Sequence, residues 1–303
     1  IKYSLHFEKG KNIGGLKKEP TKIRQTGSRV KWRPDTEVFT DIKIPLEFLQ
    51  DTLKKQAMTN AGLRFVLYNE TETGMEMFEY YYADGIVDYL KDTVGDQGFT
   101  AVEVWNAERK GRDREDKPVY KVKMQIAFCF SQTVNLLEYY HNSSWLEHGG
   151  SPDKAVKNAF VYAIDHYLKQ NSKYNKNESK ITFADVADCL ALVINSFSTQ
   201  TSYENQTKKA INNKFIQEAM TEFLRHQLEV FFIENKPEAD KIVEQVLINK
   251  RSREDAEKSR VKLKKKLTGD INMSNRVEKF VDCRSRDTEK RELYIVEGDS
   301  ALG

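Results

Sequence analysis

Three stretches of this chain carry side chains whose types and spacing could do chemistry. Near the end, Leu293-Tyr294-Ile295-Val296 runs into Glu297-Gly298-Asp299-Ser300-Ala301. The apolar run reads as a buried strand. Its two carboxylates then fall in the loop at the strand's C-terminal edge, where open α/β sheets place ligands and metals. Glu297 and Asp299 are therefore candidate metal ligands, with a solvated strand-end turn as the plainer alternative. The second stretch is Tyr203-Glu204-Asn205-Gln206-Thr207-Lys208, between an apolar strand and a long helical pattern. A lysine on such a loop can reach a phosphate in a neighbouring domain, or simply be solvated. The third is Lys250 to Leu267, with nine Lys or Arg against three Asp or Glu. Such a run is either a solvated helical face or a contact for a polyanion backbone.

Composition bounds what can position these groups. A chain of 303 residues has room for about two domains, each with its own core. With 39% apolar residues, 16 Phe and 14 Tyr, it is a folding sequence rather than a disordered one. Cys129, Cys189 and Cys283 are far apart and form no CxxC pair, which supports neither a zinc site nor a disulfide scaffold. A reducing, intracellular setting is expected. No window approaches eighteen apolar residues, so no membrane helix is expected. The chain starts Ile1-Lys2-Tyr3 without Met or a signal-peptide pattern. It is expected to be a piece lacking material at both ends.

The elements follow from periodicity. Residues 1–9 and 29–33 read as strands. Pro45 opens a helix through Leu46, Leu49, Leu53 and Ala57. A hairpin follows, with its turn at Glu70 to Gly74. Asp84 is a candidate cap for a short helix. Thr100 to Ala107 and Tyr120 to Phe130 are strands joined by a polar loop, Arg109 to Lys117. Leu136 to Tyr140 is another strand. Ser151 and Pro152 then open a helix striped by Ala155, Ala159, Ala163, Tyr167 and Leu168. Phe183 to Ala187 is a short helix. Leu190 to Ile194, almost continuously apolar, should be a central strand. The strand at 136–140, the helix at 152–169 and the strand at 190–197 make a β-α-β crossover, right-handed by rule. From Lys209 a long helical pattern runs to a break near Pro237, and a second helix carries on into the basic run.

Four segments, in order, are similar to the B subunit of bacterial type IIA DNA topoisomerases, meaning the gyrase B and topoisomerase IV B type. Thr26-Gly27-Ser28 with Pro34-Asp35 and Phe39 resembles the segment closing the ATPase domain. Asn142 with Gly149-Gly150 resembles an Asn-Asn…Glu-Gly-Gly segment. Gln206-Thr207-Lys208 matches the transducer loop, and Lys279 to Cys283 followed by Leu293 to Ala301 resembles the run that opens the Toprim domain. The chain departs from the pattern at Tyr139 to Trp145, which is more aromatic and has only one of the two asparagines, and at Asp188-Cys189-Leu190 in place of Glu-Gly-Leu.

The resemblance implies an α+β chain. The end of a GHKL-type ATPase sheet (1–70) precedes a ribosomal S5 domain 2-like transducer (71–235), basic linking helices (236–285) and the start of Toprim (286–303). It implies that Lys208, with Gln206 beside it, contacts the ATP γ-phosphate, and that Ser28 supplies a hydroxyl near the adenine. It implies that Glu297 is the Toprim carboxylate that binds Mg²⁺ and assists strand cleavage, with Asp299 supporting it. The intact enzyme would use ATP and Mg²⁺ to pass one DNA duplex through another. Its partners would be double-stranded DNA, an A subunit carrying the nucleophilic tyrosine, and a second B subunit. It would be cytoplasmic, with no membrane partner. Residues 1–303 alone are expected to be inactive and to bind neither ATP nor Mg²⁺ well. The alternative is a noncatalytic DNA-binding or regulatory module that retains the transducer scaffold.

Overall fold

The computed structural model describes residues 1–24, 26–269, 284–285 and 287–295. The chain divides into two compact units, the second beginning at Asp84. In the first, β1 (Lys2–Ser4), β2 (Phe7–Glu8), β3 (Lys11–Asn12) and β4 (Lys17–Glu19) form two short antiparallel ladders, β1 with β4 and β2 with β3. The expected strand at 29–33 does not form: these residues are irregular and exposed. Alternation alone cannot hold a strand that has no neighbour to complete its backbone hydrogen bonds. Helix α1 (Leu46–Thr59) starts directly after Pro45, as read. β5 (Arg64–Thr71) and β6 (Gly74–Tyr81) form the hairpin. Arg64 ties it across, 2.7 Å from Glu79, and lies over the Tyr81 ring.

The second unit opens with α2 (Ile86–Val94). Asp84 does not cap it. Gly85 takes that position, and the Asp84 amide donates instead to Asp88 (2.8 Å). Four strands follow: β7 (Glu103–Gly111), β8 (Tyr120–Phe130), β9 (Leu136–His141) and β10 (Ser144–Trp145). β7 runs through Gly111, further than its sequence suggests, because its ladder with β8 pairs Gly111 with Tyr120. Then come α3 (Ser151–Gln170), α4 (Phe183–Ala187), β11 (Leu190–Ser198), α5 (Lys214–Glu234) and α6 (Lys236–Gly269).

The sheet order is β10-β9-β11-β8-β7. Only β9 and β11 pair in parallel, with α3 and α4 in the connection between them. β11 is central, and Leu190 to Ser196 are buried without interruption, as an apolar run covered on both faces must be. One face of β8 (Val122, Met124, Ile126, Phe128, Phe130) packs with α3, α5 and the first half of α6. Phe128 meets Trp105, Phe160 and Phe130 edge-on, with centroids 4.6, 5.6 and 6.2 Å away. Each such ring contributes about 1.5–3 kcal/mol through burial alone. The alternate residues Ala127, Cys129, Ala191 and Val193 are buried on the opposite face, and α2 packs on β8 and β11.

Two further expectations change. Ser151 is not the cap of α3: Gly150 is, and the Ser151 hydroxyl donates to the carbonyls of Ile211 (3.2 Å) and Asn213 (2.9 Å). Leu293 to Ile295 do not form a buried strand. They are irregular and at least 75% exposed. Among the described residues no strand lies beside them, so the apolar run has nothing to pair with.

Candidate functional site

The loop carrying Gln206 and Lys208 is the tip of a short hairpin. Tyr203 bridges Ile211, and the Glu204 amide donates to the Ala210 carbonyl (3.0 Å). The hairpin is pinned on its outer side by the 146–151 turn. There the His148 amide donates to Lys209 O (2.9 Å), the Ser151 amide to Ile211 O (2.8 Å), and Lys209 pairs with Glu147. Gly150 makes this approach possible. Its φ is +86°, and a Cβ there would sit 2.2 Å from the Ile211 carbonyl oxygen. Two motifs well separated in sequence, Gly149-Gly150 and Gln206-Thr207-Lys208, therefore form one assembly.

At the tip, Asn205 organises the turn. Its side-chain oxygen accepts from the Thr207 amide (3.2 Å) and hydroxyl, and its carbonyl from the Lys208 amide (3.2 Å). Lys208 has φ +57°. Gln206, Thr207 and Lys208 are all exposed. They offer one amide and one cation outward, enough to touch a terminal phosphate but not to enclose a nucleotide.

The base of the loop is held by two buried polar clusters. His141, fully buried, reaches Ser196 (2.8 Å) through Nδ1, and Ser198 and Thr201 (both 3.0 Å) through Nε2. Burial pushes its imidazole down to about 4, so it is neutral. Asn142, in the turn to β10, holds the Ser198 amide (3.0 Å) and carbonyl (3.1 Å). On the other side, Asn213 donates to Asp113 (2.9 Å) and the Tyr120 hydroxyl (3.1 Å). Asp113 also accepts from the Phe215 amide (2.9 Å), capping the start of α5. Burial, then Asp113, push the Tyr120 phenol up.

The basic run divides in two. Lys250 is fully buried, 3.0 Å from Glu178 and 3.3 Å from Glu254. Arg251 grips both oxygens of Glu178 (3.0 and 3.1 Å), and Arg253 both oxygens of Asp185 (2.6 and 3.1 Å). Arg251, with the Asn175 amide and Lys250, holds the Glu178 carboxyl down to about 2 against its burial. Burial pushes Asp185 up, but Arg253 and Thr182 together keep it below the usual range. These three cations are engaged by acids of the fold, Lys250 in the interior and the two arginines at its edge. From Asp255 to Lys266 every residue is exposed. The helix there carries Lys258, Arg260, Lys262, Lys264, Lys265 and Lys266 with no acid after Glu257.

Ser28 is exposed in an irregular stretch of the first unit. Glu297, Asp299 and Lys279 to Cys283 lie outside the described residues. Among the described residues no cluster of His, Cys, Asp or Glu could hold a metal, and no helix is long and apolar enough to cross a membrane. Cys129 and Cys189 are buried, and burial pushes their thiols up to about 11 and about 12, which leaves them inert. Sequence reading missed the roles of Asn205, Asp113 and Glu178. Of these only Asn205 left a local signal, its Asn-x-Thr spacing.

The fold and loop define an α/β module that presents a lysine on a braced hairpin and continues into a long basic helix. Residues 85–262 match the family model for DNA gyrase B. The chain belongs to that family, among the B subunits of bacterial type IIA DNA topoisomerases. It is 28% identical over 309 residues to the DNA gyrase B subunit of Mycoplasma genitalium, covering 100% of this chain and 47% of that protein. It is 26% identical over 303 residues to the DNA gyrase B subunit of Helicobacter pylori, covering 99% of this chain and 38% of that one. The chain thus spans about half the length, or less, of these curated relatives. In fold it is similar to the 43K ATPase domain of Thermus thermophilus gyrase B, solved with an aminocoumarin. That match has a TM-score of 0.61 and 21% identity, over 85% of this chain and 68% of that one. It is also similar to the B subunit of the DNA gyrase from Myxococcus xanthus, with a TM-score of 0.62 and 16% identity, over 80% and 67% of the two chains. A mixed α/β fold with a multi-stranded sheet and long C-terminal helices is common to these proteins.

Proposed function

We propose that this chain is part of an ATP-dependent type II DNA topoisomerase B subunit, and that it couples ATP binding and hydrolysis to the passage of one duplex through another. Residues 71–235 are its transducer domain, of ribosomal S5 domain 2-like fold, with the compact unit that forms its body beginning at Asp84, after the β5–β6 hairpin. Residues 1–70 close the ATPase domain, 236–285 link onward, and 286–303 open the Toprim domain. Lys208 contacts the terminal phosphate of ATP with Gln206 beside it, and Ser28 serves the nucleotide base. Glu297, supported by Asp299, is the Mg²⁺ carboxylate of the Toprim domain. The partners are duplex DNA, an A subunit of the gyrase or topoisomerase IV type, and a second B subunit, in the cytoplasm.

The observation that supports this most is the bracing of the hairpin at 203–211. Its exposed cation sits on backbone that is hydrogen-bonded to the first residue of α3 and leads within three residues into α5. A phosphate drawn to Lys208 therefore pulls on two long helices at once, and its loss releases them. The exposed half of α6 supports contact with the duplex backbone, which is independent of sequence and sensitive to salt.

Substituting Lys208→Ala in the complete protein, assembled with its A partner, tests the reading. Losing one charge-assisted phosphate contact lowers ATP-dependent strand passage about 10- to 100-fold. Unchanged passage would overturn the assignment. In the wild type, ATP-dependent supercoiling marks a gyrase, and decatenation without supercoiling marks a topoisomerase IV.

A further inference from the structure

Lys208, though exposed, has a partner on its own loop. Its Nζ lies over the ring of Tyr203, 5.6 Å from the centroid, within the range of a cation–π contact. The two ends of this contact are held independently. Tyr203 is bridged by backbone to Ile211, and its ring packs against the edge of the core. Lys208 is turned back by its positive φ and by the Asn205 turn. The nearby Glu147 carboxylate pairs with the next residue, Lys209. The loop is thus folded so that its cation rests on an aromatic face five residues earlier.

We propose that Tyr203 is a resting dock for Lys208: a positioning residue that holds the cation on the loop until a terminal phosphate draws it away. The proposal rests on the assignment of Lys208 as the phosphate contact. A ring face attracts a cation through its quadrupole, weakly and at short range, whereas a phosphate oxyanion takes it in a charge-assisted hydrogen bond. Leaving the ring therefore costs the loop part of its attraction for phosphate, as any competing state lowers apparent affinity. A nucleoside triphosphate, with its additional terminal phosphate, overcomes that cost. A diphosphate leaves the lysine on the ring. Tyr203 would in this way moderate the affinity for the triphosphate while giving the loop two distinct positions, on the ring with a diphosphate and off it with a triphosphate. It would also keep Lys208 from wandering to other anions, the backbone of a bound duplex among them.

The test uses the complete protein with its lysines ¹³C-dimethylated, which keeps their charge. The Lys208 methyl signal is assigned by its loss in Lys208→Arg. Ring current should shift that signal upfield in the wild type and in Tyr203→Phe. It should return to the solvent position in Tyr203→Leu. In the wild type it should also return on adding a non-hydrolysable β,γ-imido ATP analogue, but not on adding ADP. In turnover, Tyr203→Leu should lower KM for ATP about two- to five-fold with kcat nearly unchanged, and Tyr203→Phe should match the wild type. The absence of an upfield shift in the wild type overturns the dock, and this measurement needs no Tyr203 variant to fold. A Leu variant of wild-type or higher KM overturns it too. If Lys208→Ala leaves activity intact, the phosphate assignment itself fails. If Lys208→Ala abolishes activity while Tyr203→Leu and Tyr203→Phe behave alike, only the dock fails.

Discussion

Replacing Glu178 by Gln removes the carboxylate on which Lys250 and Arg251 converge. Lys250 has no exposed surface, and the Glu178 side chain is only 8% exposed. The substitution therefore leaves a buried ammonium with Glu254 at 3.3 Å as its remaining acid. Breaking such a pair from one side costs about 3–5 kcal/mol. The second acid, 29% exposed, brings the figure to the low end. The lowered Glu178 carboxyl, set by the same cations, agrees with this figure. It is held down to about 2 from an ordinary 4.5, which corresponds to about 3 kcal/mol at 1.36 kcal/mol per pH unit. Because the folded value is the lower one, this stabilisation is fully present above pH 4.5 and is lost as pH falls toward 2. Urea unfolding of wild type and Glu178→Gln, followed by far-UV circular dichroism, should show a gap of about 3 kcal/mol at pH 7. The gap should shrink steadily between pH 4.5 and pH 2. A gap below 1 kcal/mol at pH 7, or one that stays constant through that window, would refute the reasoning.

Gly150→Ala should destabilise the second unit by more than about 3 kcal/mol, since the new methyl meets backbone rather than a movable side chain; a melting temperature equal to wild type would contradict this. His141 is neutral and buried, with its folded value near 4 against 6.5 unfolded. Protonation therefore opposes the fold, and stability should fall by about 2 kcal/mol between pH 7 and pH 5. His141→Gln should flatten that slope in denaturant titrations at the two pH values. Lys258, Lys262, Lys265 and Lys266 share one stripe of α6 by their spacing. Changing all four to Gln should reduce the slope of log affinity for duplex DNA against log salt by about 3–4, measured by fluorescence anisotropy. Arg253→Gln, which removes a cation already paired with Asp185, should leave that slope unchanged.

Elements that announce themselves locally were legible in the sequence. The unbroken apolar run of β11, the alanine stripe of α3, the pentapeptide α4 and the break before Pro237 all stand as read. What was not legible depends on partners distant in the chain. Leu293 to Ile295 and Arg29 to Arg33 look like strands to any local rule, but a strand needs a neighbour and none lies beside them among the described residues. Ser151 looks like a cap, yet its hydroxyl is claimed by carbonyls sixty residues away. The basic run looks uniform, yet its first three cations answer Glu178 and Asp185, which precede them by about seventy residues. The tip of the candidate site was visible because Gln206-Thr207-Lys208 is a contiguous pattern. The ring beneath Lys208 was not, because the sequence does not say which way a loop folds back.

The division of α6 has a mechanical consequence. Its outer stretch, Asp255 to Lys266, is twelve residues and about 18 Å long. Lys258, Lys262 and Lys266 repel one another at every fourth position. A segment so short and so charged would not nucleate a helix in water. It is helical because the inner half, seated by Ile242, Val246 and the Lys250 cluster, supplies finished turns for it to grow from. The outer stretch is therefore a lever whose stiffness is borrowed from its mount. A tilt of about 10° at the Glu178 clamp, about 23 Å from the tip, would carry the tip about 4 Å, and loosening that clamp would soften the lever as well as free it.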